Sequence, residues 1–241
     1  LPAVGNTSKS QNYVGSIVLS ADTTLSTNKI LDTDGITLKN DNDASADITL
    51  GGTVNGAYAL TLNTTGTTTL SSTVGNSAAL TSITTNAGGT VAINGGAVTT
   101  TGTQTYNDAA TLGANTTLTT TSNGDITFAS TVDSGVAGKT LTISTNGTGD
   151  TTFTGAVGTT ALGNITITSD VLNAAAIKLA GTLSITNGGA SSITGIISDG
   201  ASAAALTHAG TATLTLSGVN TYTGATTINS GATLALSTAG A

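Results

Sequence analysis

The chain has 241 residues, of which 37% are hydrophobic and only 7% are charged. Average soluble domains carry about 25% charged residues, and low charge with ample apolar residues excludes a typical disordered chain. The net charge of −7, with five scattered Lys and no Arg, excludes nucleic acid as a partner and disfavours anionic membrane surfaces. Cys is absent, and no apolar run reaches the ~20 residues of a membrane-spanning helix, which excludes disulfides, thiolate metal sites and insertion of this segment into a membrane.

The composition predicts an all-β fold. Thr, a β-branched residue that suits strands, is abundant along the whole chain, whereas the helix-favouring residues Glu, Arg and Met are absent. Residues 1–16 are polar and irregular, and we expect them to form an N-terminal cap or a loose segment. No linker interrupts the remainder, so residues 17–241 are predicted to form one elongated domain.

Short strand signals recur from residue 17 onward. In each signal two apolar residues flank a middle residue that is usually Thr, so the outer side chains point to one face and the middle one to the other. Most are too short for an ordinary β-sandwich. In chain order the signals are 17–19, 36–38, 48–50, 60–62, 91–93, 126–128, 141–143, 165–167, 177–179 and 183–185.

A second signal follows several of these strands. An apolar residue comes four positions after the strand, as in Leu50 and Val54 or Phe128 and Val132, with small residues between. We interpret this as a strand, a bend and an apolar residue that turns back inward. The larger unit closes in roughly 20 to 25 residues, which favours one turn of a parallel β-helix over a propeller blade. About 10 to 12 rungs at ~4.8 Å would give a rod about 50 Å long.

The segment LTLSGVNTYTGATTINSGATLAL, residues 214–236, resembles the passenger-associated repeat of bacterial autotransporters, and residues 193–218 resemble the segment that leads into it. Residues 45–170 more loosely resemble the Thr- and Gly-rich repeats of filamentous-haemagglutinin-like adhesins. The resemblance implies a right-handed β-helix at the bacterial cell surface or outside the cell. Ala232 is an extra residue relative to the common form of the repeat. We expect either a fragment of a longer adhesin or a short solenoid.

The densest acidic region lies between Asp22 and Asp47. It contains the segments Asp32-Thr33-Asp34 and Asp41-Asn42-Asp43, whose side-chain oxygens are suitable calcium ligands. Neither segment continues into the EF-hand spacing, and no Glu is present for bidentate ligation. The glycine-rich nonapeptide of calcium β-rolls is also absent. The favoured interpretation is therefore a set of solvated turns, with calcium binding as the alternative.

The same carboxylates could also serve as the acid and base of a polysaccharide-cleaving enzyme. The chain has no Arg or Trp, and only four Tyr and two Phe are available to stack on sugars, so we predict no enzyme. No catalytic, cofactor-binding or metal-binding residue is predicted, and no cofactor. The only His, His208, is predicted to be an exposed or hydrogen-bonded turn residue. Tyr106 and Tyr222 are expected to pack at corners, and the glycine pairs 88–89 and 95–96 to form bends.

Three functional hypotheses remain open. The first is a rigid structural or adhesive module of a cell-surface or secreted adhesin, which acts as a stalk or contact surface in adhesion or biofilm. The second is a filament subunit that stacks end to end, because an uncapped solenoid end exposes unpaired strand edges. The third is a β-helical carbohydrate enzyme. The partners compatible with the sequence are further copies of the chain and extracellular glycans or proteins.

Overall fold

The computed structural model describes residues 10–27, 29–31, 38–40 and 46–237, and within them all regular structure is β-strand. The strands lie parallel and stack into a β-solenoid of about nine turns. Each turn passes over three sheets in the same order, so the solenoid has three faces. None of the described residues belongs to a helix suited to crossing a membrane.

The first face is a sheet of nine strands. They are β1 Gln11–Tyr13, β6 Ile48–Leu50, β9 Thr67–Leu70, β11 Thr90–Ile93, β14 Ala109–Leu112, β17 Val132–Ser134, β20 Val157–Leu162, β23 Ile177–Leu179 and β26 Ile197–Asp199.

The second face combines a two-stranded sheet with a seven-stranded sheet, which are joined through single bridges at Val74. Its strands are β2 Ile17–Val18, β7 Val54–Asn55, β12 Ala97–Thr100, β15 Thr116–Thr120, β18 Leu141–Ser144, β21 Ile165–Ser169, β24 Thr182–Asn187, β27 Ala205–His208 and β29 Thr226–Ile228.

The third face is a sheet of ten strands. They are β3 Thr23–Ser26, β8 Ala59–Asn63, β10 Ser82–Thr85, β13 Gln104–Tyr106, β16 Ile126–Phe128, β19 Thr151–Phe153, β22 Leu172–Ala174, β25 Ser191–Ile193, β28 Thr213–Leu216 and β30 Thr233–Leu236.

Columns of stacked apolar side chains form the core, as the sequence predicted. On the third face Tyr106, Phe128 and Phe153 occupy equivalent positions in successive turns, and their rings stack at centroid distances of 4.8 and 5.4 Å. The predicted inward residue four positions after a strand is confirmed, because Val54 and Val132 are both fully buried. Like side chains therefore repeat along the axis, and each turn is held mainly by its two neighbours.

The turn length agrees with the prediction, with one exception near the N-terminus. Val91 pairs with Ala110 and Val132 pairs with Val157, so these turns take 19 and 25 residues. Ile17, in contrast, pairs with Val54, 37 residues away.

The additional residues of that long turn include an antiparallel pair, β4 Lys29–Leu31 and β5 Leu38–Asn40. The prediction of a rung strand over 36–38 is therefore wrong at Leu38, and residues 36 and 37 lie outside the described residues. The Ile-Thr-Leu pattern specifies an extended segment but not the direction of its partner. The solenoid has about nine turns, fewer than the predicted 10 to 12.

Candidate functional site

The Asp side chains at the corners of the solenoid mostly serve the backbone of adjacent turns. Asp22 accepts a hydrogen bond from the N–H of Ala59 at 2.9 Å, and Asp133 accepts one from the N–H of Thr160 at 2.9 Å. Asp47, Asp125, Asp150 and Asp199 accept equivalent bonds from the following turn. Hydrogen bonds to charged groups stabilise a fold, although they contribute less at exposed corners such as these than in positions protected from water. These carboxylates therefore clamp turns together.

Asn side chains at other corners act in the same way. Asn115 accepts from the N–H of Thr140 at 3.1 Å, and Asn164 accepts from the N–H of Thr182 at 2.9 Å. The clamp thus needs a side-chain oxygen at a fixed distance from the backbone, not a charge. This explains why a chain with only 7% charged residues retains Asp and Asn at its bends.

The acidic region between Asp22 and Asp47 is only partly described. Asp22 precedes β3 on the third face and Asp47 precedes β6 on the first face, so they lie at different corners. The four Asp of the alternative calcium interpretation, at positions 32, 34, 41 and 43, lie outside the described residues. The described residues contain no group of three or more His, Cys, Asp or Glu that would hold a metal. The favoured interpretation as turn residues fits Asp22 and Asp47.

Asp108 differs from the other carboxylates because it is buried, with 1% of its surface exposed. Its Oδ1 accepts a hydrogen bond from the N–H of Gly89 at 2.8 Å, whereas its Oδ2 has no partner among the described residues. Burial raises the pKa of Asp108 above its ordinary value, partly offset by the bonds from Gly89 and Thr85. No other described Asp is this deeply buried. Burial of the ionised Asp108 carboxylate therefore lowers the stability of the fold at neutral pH.

Asp199 has the opposite electrostatic setting on the solenoid surface. The N–H of Ala204 donates to its Oδ1 at 2.7 Å, and the Thr223 hydroxyl donates to its Oδ2 at 2.8 Å. These bonds lower the pKa of Asp199 because they favour the ionised carboxylate. Asp199 thereby ties β26 to the segment that precedes β29.

His208 does not lie at a turn, so that part of its prediction is wrong. It ends strand β27 and is fully buried, because its position in the strand points into the core. The predicted hydrogen bond is present, with its Nε2 3.1 Å from the carbonyl oxygen of Ala212. Its Nδ1 has no partner within the described part of the chain. His208 therefore occupies a core position in the sheet.

The two tyrosines considered as corner residues have different surroundings. Tyr106 is fully buried in β13, where its hydroxyl donates to the side-chain oxygen of Gln104 at 3.0 Å. Burial strongly raises the pKa of Tyr106. The predicted corner position of Tyr106 is wrong, because the residue lies in a strand and its buried ring stacks on Phe128. Tyr222 lies in an irregular segment, packs against the core and contacts the Thr226 hydroxyl at 2.6 Å, as expected of a corner residue.

The glycine pairs 88–89 and 95–96 form bends, as predicted. Gly88 and Gly96 have φ angles of 108° and 76°, in the left-handed region that favours glycine. No helix follows either pair, so neither forms the anion site of a phosphate loop.

Two concave features lie on the described surface. One is a polar groove of about 380 Å³ along the corner between the second and third faces, lined by Asn146, Thr168, Asp170, Thr186 and Thr211 among others. The other is an apolar cavity of about 240 Å³ beside the first turns, lined by Tyr13, Ile17, Leu19 and Leu25 among others. Neither contains the paired carboxylates that glycoside hydrolysis needs.

A family model described as the passenger-associated-transport-repeat matches residues 206–236, which span β27 to β30. No curated protein and no solved structure matches the chain. The repeat and the β-solenoid together fit an autotransporter passenger domain. They imply a secreted or surface-exposed protein and suggest a structural role.

Proposed function

We propose that this chain is a rigid module of a bacterial surface adhesin, which acts as a stalk and contact surface in cell adhesion or biofilm. The observation that supports this most directly is the stacking of about nine turns, continuous across three faces, with parallel register. The match of residues 206–236 to a passenger repeat is consistent with the same role.

The contacts between turns explain how such a module stays rigid without disulfides. Backbone hydrogen bonds join each strand to its neighbours in adjacent turns, and Asp and Asn clamp the corners between them. Each turn also buries apolar side chains against the next. Bending the rod would separate turns on one face and break these bonds, so the solenoid transmits force along its axis.

The adhesive role is tested by displaying the chain on a non-adherent bacterium and measuring attached biomass on abiotic and cell-coated surfaces. The matched control is Phe128→Asp, which places a charge in the buried aromatic stack and prevents folding. We expect the folded chain to increase attachment and the variant, displayed at the same level, to have no effect. Equal attachment by both would refute the proposal.

End-to-end assembly is a second candidate, supported by the last described turn. Ile228 and Leu236 continue two core columns by one rung, and they are 47% and 59% exposed. Residues 200–237 carry no charge, and charged residues are what commonly protect strand edges from further pairing. In a chain that ends with this turn, a second copy stacked in the same orientation would cover both side chains and extend the parallel sheets.

Negative-stain microscopy and sedimentation at rising concentration test this assembly. Fibres of uniform width that disappear in Leu236→Lys would support it, because the lysine would place a charge in the contact. Thr215→Lys, at an outward position on β28, serves as the matched control. Single rods at every concentration would refute end-to-end assembly but would leave the adhesive role intact.

A further inference from the structure

The second face carries two parallel columns of Thr and Ser on its outer side. In the register of its sheet, successive turns place equivalent residues directly beside each other. The first column contains Thr117, Thr142, Thr166, Ser184, Thr207 and Thr227. The second, two residues further along each strand, contains Thr99, Thr119, Ser144, Thr168 and Thr186. We call these eleven residues the threonine array.

The hydroxyls of the threonine array have no hydrogen-bond partner among the residues that the structure describes. None of them donates to or accepts from another group in the described residues, unlike the hydroxyls at the corners, such as that of Thr145, which donates to the Gly149 carbonyl at 2.6 Å. Thr117, Thr166, Thr168 and Thr186 are exposed. The hydroxyls of these exposed residues are thus available as both donors and acceptors to an external partner, and most of the other array residues are half-buried between them.

The other two faces lack this arrangement. The outward column of the first face includes Asp133 and Lys178, and its register shifts between Val157 and Leu162. The third face has one continuous outward column, in which the Ser192 hydroxyl donates to the Asn173 side chain at 3.2 Å. The second face alone combines two columns, unengaged hydroxyls, an absence of charge and a register without shifts from β12 to β29.

The spacing of the array is fixed by the sheet. Neighbouring hydroxyls repeat at about 4.8 Å along the solenoid axis and at about 6.7 Å along each strand. The first column therefore extends about 24 Å over six turns. These repeats form a regular rectangular grid, which suits a ligand whose hydrogen-bonding groups also form a regular lattice. A small soluble ligand would contact only a few of the eleven hydroxyls.

We propose that the threonine array binds ice. The hydroxyls hydrogen-bond lattice water, while the Thr methyl groups between them limit disordered hydration. Thr is held in few side-chain rotamers by its branched Cβ, so the face loses little conformational entropy when the lattice forms against it. Charged residues would hold their own hydration shells, and the array contains none. Ice binding by this face would be a function additional to the proposed adhesive role.

The test freezes a dilute solution of the whole chain slowly onto a cold finger and compares protein concentration in the ice and in the liquid. We expect enrichment of the chain in the ice, and slowed growth of single ice crystals. Thr166→Lys places a charged side chain in the centre of the array, and we expect it to be excluded from ice like a non-binding protein. Thr166→Tyr, which suits a strand, is a second variant should the lysine impair folding.

Thr127→Lys is the matched control, because Thr127 points outward from β16 on the third face. It should keep the full enrichment, and circular dichroism should show the same fold for all variants. Exclusion of the unmodified chain from ice would overturn the proposal. So would equal losses in Thr166→Lys and Thr127→Lys, or binding to crystalline cellulose or chitin together with exclusion from ice.

Discussion

Replacement of Phe128 by Ala should weaken the solenoid more than any change on its outer faces. Phe128 is fully buried, and its ring stacks on Tyr106 at 4.8 Å and on Phe153 at 5.4 Å. A buried Phe→Ala change costs about 3–5 kcal/mol through lost burial and the cavity left behind. Each lost aromatic pair contributes about 0.5–1.5 kcal/mol of that total. Two pairs are lost here, so we expect about 4–5 kcal/mol.

The assay is urea-induced unfolding followed by circular dichroism, with hydrogen exchange to locate the damage. Thr127→Ala, on the outer side of the same strand, should cost below about 1 kcal/mol. Phe128→Leu should fall between the two, because it restores much of the buried volume without the ring stack. Exchange should rise first in β13, β16 and β19, which carry the stack. Equal costs for Phe128→Ala and Thr127→Ala would refute the core assigned here.

Three further changes have defined outcomes in thermal or urea unfolding. Asp108→Asn should stabilise the fold at pH 7. The raised pKa of Asp108 means that the free energy of unfolding of the unmodified chain falls as the pH rises above about 4, and Asn removes this loss. The difference in stability between the two proteins should vanish below that pH. Asp199→Asn should destabilise it at pH 7, because the lowered pKa means that the bonds to Asp199 favour its ionised form. That contribution is fully present above about pH 4, and the two proteins should converge as the pH falls through the lowered pKa. Gly158→Ala should cost at least about 1–2 kcal/mol, because Gly158 has a φ of 84° and a methyl group would collide with the carbonyl oxygen of Lys178. Unchanged unfolding in any of the three would contradict the corresponding contact.

The sequence carries most of the information on the solenoid because one simple rule repeats. An apolar–Thr–apolar triplet such as 126–128 defines an inward and an outward face, and the bend after it returns the chain to the core. Because the pattern repeats, the strand and bend identified in one turn predict those of the next turn. The hydrogen bonds of Asp and Asn between turns were harder to predict from the sequence. Each depends on a backbone N–H in the next turn, about 20 residues later in the chain.

Three features needed the structure. The partner of the segment around Leu38 is antiparallel, which a three-residue pattern does not specify. The sequence predicts a turn position for His208 and a corner position for Tyr106, although both end strands and are fully buried. The threonine array requires the alignment of 117, 142 and 166 between turns, and the uneven spacing of these residues hides it. A search for Thr or Ser at alternate positions around a buried apolar residue would have located β15, β18, β21 and β24.

The most direct test of the rigid solenoid is a distance along its axis. The chain has no Cys, so spin labels at Thr49→Cys and Ser198→Cys would report one defined pair on the first face. Seven rung steps separate β6 from β26, which gives about 34 Å at ~4.8 Å per step. The account predicts one narrow distribution near that value, and a distance about 5 Å shorter when Lys178→Cys replaces the second site. A broad distribution, or equal distances for the two pairs, would contradict it.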